Sequence, residues 1–219
     1  MIIAIDGPSG AGKSTVAKLL SKKLGFEYID TGAMYRALAY KAFINNIEIN
    51  EENEDTINEM IECTTVDYYD NNIYLDNENI ESLIRDENIS IGASKISALQ
   101  SVRLKMVNLQ REIAKNKDVI LDGRDIGTNV FPNADYKFYI TASEEVRAGR
   151  RYEQLVSEGK QVNFNSVFSD LKQRDKNDST RKFSPLRKAE DAILIDTTNK
   201  DTDEVIGEIA DIIGGRNVL

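Results

Sequence analysis

The chain has 219 residues, a formal charge of −9 and 41% hydrophobic residues, which fits a soluble α/β domain with an embellishment or two small lobes. It has no histidine and a single cysteine, Cys63, which excludes an internal disulfide, a Cys-clustered zinc site, His-ligated metals and Ser-His-Asp or Cys-His catalysis. No apolar run is long enough to cross a bilayer, and Met1–Gly7 lacks the basic region of a secretory signal, so neither a membrane partner nor export is expected.

Ile2–Ile5 is a short apolar run stopped by Asp6-Gly7-Pro8 and reads as a buried parallel strand. From Lys13, the residues Val16, Ala17, Leu19, Leu20 and Leu24 follow helical spacing, and Gly25 ends that helix. Phe26–Ile29 reads as a second strand, followed by a helix through Tyr35, Leu38, Ala39, Ala42 and Phe43. Glu54–Cys63 reads as a polar helix, with Cys63 as a small buried residue. Thr64–Tyr69, Ile73–Leu75 and Ile80–Ile84, separated by Asn/Asp turns, suggest an antiparallel meander inserted into a β/α pattern. Tyr68, Tyr69 and Tyr74 read as packing residues of its strands. Ile91–Asn116 is expected to be long and mostly helical. Strands are expected at Val119–Leu121, Tyr136–Ile140 and Ile193–Ile195, with helices at Ser143–Ser157, Val167–Lys176 and Thr202–Ile213. Five core strands alternating with helices predict a three-layer α/β/α core around a parallel sheet.

Charge is unevenly spread. Residues 46–90 carry fourteen acids and one base, Arg85, a local charge of −13. Residues 146–188 carry eleven bases against five acids. The acidic block repels polyanions, so nucleic acid is not expected as a partner, while a small anion such as a nucleotide is.

Gly7-Pro8-Ser9-Gly10-Ala11-Gly12-Lys13-Ser14 matches G-x-x-x-x-G-K-[ST], with a strand before it and a helix after it, as the motif's physics requires. The glycines let the backbone curl with its N–H groups inward, and the helix beginning near Lys13 adds its positive dipole end. Lys13 is placed to reach the β- and γ-phosphates, and Ser14 to ligate Mg²⁺. Asp122, ending an apolar strand, reads as a second Mg²⁺ partner acting partly through water. Together Gly7 to Ser14 and Thr15 form the expected ATP-binding segment. The Asn-Lys-x-Asp guanine reader of a regulatory GTPase is absent at both Asn116-Lys117 and Asn199-Lys200, which disfavours a nucleotide-dependent switch or binding module. A small chain with extra Arg clusters suggests transfer of phosphate to a small acceptor.

Asp30-Thr31-Gly32-Ala33-Met34-Tyr35-Arg36, Asp122-Gly123-Arg124-Asp125 and Arg174-Asp175-Lys176-Asn177-Asp178-Ser179-Thr180-Arg181, with the phosphate loop, resemble the bacterial cytidylate kinases in order along nearly the whole chain. The resemblance implies transfer of the γ-phosphoryl of ATP to CMP or dCMP with Mg²⁺, no tightly bound organic cofactor, and a monomeric, cytoplasmic enzyme. A kinase for another small acceptor, such as UMP, AMP or shikimate, is the alternative. It implies a core in three pieces (1–30, 101–145 and 184–219), a monophosphate-binding region at 31–100 enlarged by the antiparallel insertion, and a lid and acceptor-binding segment at 146–183. It places Thr31, Arg36, Ser94, Arg103, Arg124, Asp125, Arg174, Asp178 and Arg181 on the CMP. Arg147, Arg150 and Arg151 fall where the lid supplies arginines. With Lys13 and Arg124 they are the expected catalytic residues. Spacings of three and four put the three lid arginines on one helix face.

Overall fold

A computed structural model describes residues 1–69 and 72–216. The chain divides into two compact units, one of Met1–Tyr28 with Lys117–Leu219 and one of Ile29–Asn116.

The main sheet has five strands: β1 (Ile2–Asp6), β2 (Glu27–Asp30), β6 (Val119–Gly123), β7 (Tyr136–Thr141) and β8 (Ile193–Asp196), in the order β2-β6-β1-β7-β8. β1 pairs in parallel with both β6 and β7, and β7 with β8. The parallel register explains the near-continuous apolar runs in these strands, because both faces are covered. Ile3, Ala4 and Ile5 are all fully buried, as are Val119, Ile120 and Leu121. On one face Ile3, Ile5, Ile120, Phe138, Ile140 and Ile195 form a core with α1 (Lys13–Leu24) and α8 (Thr202–Arg216) through Val16, Leu20, Val205 and Ile209. The strand order reverses beside β1. In such a sheet ligands sit at the carboxyl ends of the strands flanking that reversal.

In the second unit, α2 (Thr31–Ile44) starts from Asp30, whose side chain accepts from Ala33 N at 2.8 Å. It packs against α4 (Glu87–Ile96) closely enough that Gly92 faces Ala39; a Cβ there would lie 3.1 Å from the Ala39 methyl. A polar helix, α3 (Glu54–Glu62), leads into the predicted antiparallel sheet, which is made of β3 (Val66–Tyr69), β4 (Asn72–Leu75) and β5 (Glu78–Asn79).

Two sequence expectations, the third strand of the insertion and the burial of Cys63, are corrected here. The third strand is Glu78–Asn79, not Ile80–Ile84, because Asp76 and Asn77 take φ of 51° and 69° and close a two-residue hairpin. Ile80 and Ile84 are instead buried around a short 3₁₀ turn at Leu83–Arg85. The stretch over 91–116 is mostly helical as expected, in two helices, α4 and α5 (Gln100–Ile113), separated where Leu99 is extended, with ψ of 124°. Cys63 is exposed at the C-terminal end of α3 rather than buried. Of the three tyrosines, Tyr68 is buried, whereas Tyr69 is half exposed and stacks on Tyr74 at 4.0 Å between ring centroids. The expected boundary after residue 100 falls within the first turn of α5, which packs on α3 and α2, and the compact unit runs on to Asn116. Part of the first expected turn of the insertion, Asp70-Asn71, lies outside the described residues.

Candidate active site

In the first unit, the segment from Gly7 to Gly12 follows β1 and curls back over its end. Gly7 has φ of 148°, and a Cβ on it would lie 1.9 Å from the Ile140 carbonyl oxygen, so the loop passes directly over β7. Gly10 and Gly12 have φ of 74° and 88°. Gly12 is the residue before α1, so the first amides of that helix lack partners within it and face outward from its N-terminal end. Lys13 folds back over the loop and its Nζ donates to the Pro8 carbonyl at 2.7 Å. Burial, with the nearby Arg124 charge, pushes its ammonium down to about 7 against the opposing pull of Asp122, Asp175 and Asp178. Ser14 and Thr15 are exposed at the helix start.

Asp122 stands on β6 beside Ile5 of β1. Its Oδ2 accepts from Ser14 Oγ at 2.7 Å and its Oδ1 from the Tyr28 hydroxyl at 2.8 Å. The two residues expected to serve Mg²⁺ are therefore in direct contact. A hydroxyl and one carboxylate are hard oxygen donors, and Mg²⁺ habitually completes its shell with water and substrate phosphate. The set fits that ion. Among the described residues, no cluster of three acidic or Cys side chains offers a cage that would hold a metal by protein ligands alone.

Beyond Asp122 the chain carries Arg124 and Asp125 into a single π-turn, Ile126–Val130, in which Phe131 N donates to Ile126 O at 2.7 Å. That turn is tied to β1, since Asp6 accepts from the amides of Ile126 at 2.8 Å and Gly127 at 2.7 Å. Burial pushes the Asp6 carboxyl up to about 6 despite those two amides. Arg124 Nε donates to Asp178 Oδ2 at 2.8 Å. Burial alone would raise the Asp178 carboxyl, but the Arg124 guanidinium, with Arg181 and Arg174, holds it below the usual carboxylate range. Arg181 lies 3.4 Å from Asp125 Oδ1, both side chains almost fully buried. So Arg124, Asp125, Asp178 and Arg181 form one network, fed by β6 and by α7 (Phe164–Thr180). Arg174 joins it through its charge on Asp178.

The lid arginines lie on α6 (Glu144–Ser157) but do not act as one group. Arg147 is buried against the loop, donating through Nη1 to the Ser9 carbonyl at 2.9 Å. Arg150 donates to the Thr197 hydroxyl and carbonyl at 2.9 and 2.8 Å. Arg151 donates to Gln154 on its own helix. The shared face implied by spacing splits because Arg147 is drawn inward by Ala142 O and Ser9 O.

In the second unit, Arg36 donates to Asp30 Oδ2 at 2.9 Å, and Thr31 is buried at the start of α2. Arg103 is buried on α5, bonded to Ser97 O at 3.1 Å and to the Tyr35 hydroxyl at 3.2 Å. Ser94 lies half-buried on α4, its carbonyl accepting from Ser97 Oγ. Neither arginine is the free surface charge that an isolated helix position would suggest.

Sequence reasoning missed Tyr28, Asp6 and Asp175 as members of this machinery. Asp175 was visible inside the Arg174–Arg181 motif. Nothing in the sequence marks Tyr28, whose hydroxyl is indistinguishable from that of any strand tyrosine until Asp122 is placed beside it.

A family model described as cytidylate kinase matches residues 3–214. A cytidylate kinase of Clostridioides difficile is 48% identical, over 95% of this chain and 96% of the relative. One from Alkaliphilus oremlandii is 47% identical over 97% of each. A solved structure of an uncharacterized protein from Eubacterium ventriosum superposes with a TM-score of 0.53 at 16% identity, covering 98% of both chains, and shares the fold alone.

Proposed function

The chain belongs to the cytidylate kinase family, and from that membership we propose that it transfers the γ-phosphoryl group of ATP to CMP and dCMP, releasing ADP and the cytidine diphosphate. The observation that carries the reading is the pairing of a phosphate loop, its glycines curled under α1, with the Arg124–Asp178 and Arg181–Asp125 pairs at the end of the adjacent strand.

On this reading the segment Gly7–Thr15 binds the ATP phosphates through loop amides. Lys13, whose ammonium is destabilised by burial, regains its full charge when phosphate oxygens replace the Pro8 carbonyl as its partner. Ser14 and Asp122 would hold Mg²⁺, which when bound neutralises charge between the β- and γ-phosphates. Arg36, Arg124 and Arg181 hold the acceptor phosphate through bidentate hydrogen bonds. Thr31, Arg174 and Asp178 contact its ribose and phosphate. That phosphate is already ionised near neutral pH, so no general base is needed and the lack of histidine costs nothing. Positioning and charge stabilisation carry the catalysis. Arg147 and Arg150 serve the transferred group from the loop side, and Arg151 does so only if it leaves Gln154.

Cytosine is distinguished from uracil by Asp125, which accepts from the exocyclic amino group, while Ser94 and Arg103 donate to ring acceptors. UMP presents a carbonyl at that amino position and sets two acceptors against each other. The reading includes a monomer in the cytoplasm, with no nucleic-acid partner, as the acidic block favours. A coupled ADP-release assay with Mg-ATP across monophosphates tests it. CMP and dCMP turn over far faster than UMP and AMP; equal rates, or a faster UMP, would overturn the substrate assignment.

A further inference from the structure

Asp175 sits on α7, one turn before Asp178, and the acceptor chemistry does not require it. Its Oδ1 accepts from the Ser9 amide of the phosphate loop at 3.0 Å, and its Oδ2 is ion-paired to Nη1 of Arg147. The same Nη1 donates to the Ser9 carbonyl at 2.9 Å. The Ser9 main chain is therefore bracketed on both sides, its N–H by the carboxylate and its C=O by the guanidinium. There is no slack in this arrangement. A Cβ on Gly10, the next residue, would lie 2.8 Å from the Arg147 carbonyl and 3.2 Å from a methyl of Leu171 on α7.

Two carboxylates three residues apart on one helix thus hold two arginines from different elements, Asp175 holding Arg147 of α6 and Asp178 holding Arg124 after β6. From this geometry we infer that Asp175 is a positioning residue for phosphoryl transfer. It fixes the Arg147 guanidinium and the Ser9 main chain as one unit, so that α7 sets the loop-side arginine in register with Arg124. The inference rests on the kinase reading above. A surface ion pair would not do this, but both partners here are largely withdrawn from solvent and the carboxylate also accepts from the loop backbone. The charge of Asp175 also favours the ammonium form of Lys13, consistent with a carboxylate placed to serve the loop.

The test is steady-state kinetics of the full chain with CMP and Mg-ATP for Asp175→Ala, Asp175→Asn, Arg147→Ala and the Asp175→Ala/Arg147→Ala double variant, beside thermal melts. A positioning role lowers kcat by about tenfold or more in Asp175→Ala while the KM for CMP stays within about threefold. Because the two side chains act as one unit, the double variant is no slower than Arg147→Ala alone. Asp175→Asn keeps an oxygen for the Ser9 amide but loses the charge that holds Arg147, so it shows a smaller loss of the same kind; it also stands in if the alanine variant fails to fold. Turnover within about twofold of wild type in Asp175→Asn and Asp175→Ala, or single-variant losses that multiply in the double variant, overturns the inference. A wild-type enzyme inactive with CMP would instead overturn the kinase reading beneath it.

Discussion

Replacing Gly7 by alanine tests the phosphate loop at its tightest point. Two costs are separable there. The backbone has φ of 148°, which L-residues rarely adopt, at roughly 1–3 kcal/mol. The new Cβ would also stand 1.9 Å from the Ile140 carbonyl oxygen, so loop and β7 must part by about 1 Å to reach even the tightest Cβ contact of 3.0 Å. Overpacking of that kind adds about 1–3 kcal/mol. The sum, about 2–6 kcal/mol, is a large part of the roughly 5–15 kcal/mol that holds a domain folded. Gly25 supplies the control. It too has positive φ, 73°, but a Cβ there meets nothing within 4 Å, so Gly25→Ala carries the backbone cost alone, about 1–2 kcal/mol. Urea unfolding measures both, and calorimetry measures ADP binding. Gly7→Ala loses more stability than Gly25→Ala and binds ADP more weakly, whereas Gly25→Ala binds it as wild type does. Equal stability losses with unchanged ADP binding in both would refute the close approach of the loop to β7.

Three further outcomes are expected. Asp125→Ala raises the KM for CMP by about tenfold or more, since a lost charged hydrogen bond to the base is specific to the acceptor, while the KM for ATP stays within about twofold; equal losses for both substrates would defeat the base-reading role. Asp178→Ala strands the Arg124 guanidinium and lowers stability in urea by about 2–4 kcal/mol, reduced from a fully buried pair because Arg124 keeps 23% of its side chain exposed; because the Asp178 carboxyl is held below its ordinary value, its contribution is present at neutral pH and fades as pH falls through the folded value. Asp6 has the opposite sign, its carboxyl being raised from 3.8 to about 6, so the native state retains a proton that the unfolded chain has released and loses stability as pH rises across that window, by about 3 kcal/mol; the stability of Asp6→Asn relative to wild type, measured in urea, therefore rises from pH 4 to 7, and a gap constant with pH would contradict it.

The fold was legible wherever one face or both faces of an element are buried. Ile2–Ile5 and Val119–Leu121 are uninterrupted apolar runs because the parallel sheet covers them on both sides, and their position followed directly. The insertion was harder. Its third strand is only two residues long and carries no apolar pattern, so Ile80 and Ile84, which are buried around a tight turn, drew the reading away from Glu78–Asn79. In the long segment the break was hidden because Ser97-Ala98-Leu99 contains neither Gly nor Pro. At the site, the phosphate loop is a local motif whose chemistry is set by consecutive residues. Arg147, Arg150 and Arg151 shared a face by spacing, yet the sequence held no sign that Ser9 O and Ala142 O would draw one of them inward. Tyr28 and Asp175 act through partners 94 and 166 residues away, a distance over which periodicity carries no information.

The most direct measurement follows the label of γ-³²P ATP in the presence and absence of CMP, for wild type and for Lys13→Ala. The account predicts that label passes to CDP only when CMP is present, with little released as inorganic phosphate, and that Lys13→Ala abolishes the transfer while still melting as a folded protein. Label released as inorganic phosphate at a rate indifferent to CMP, or transfer by Lys13→Ala near the wild-type rate, would contradict it.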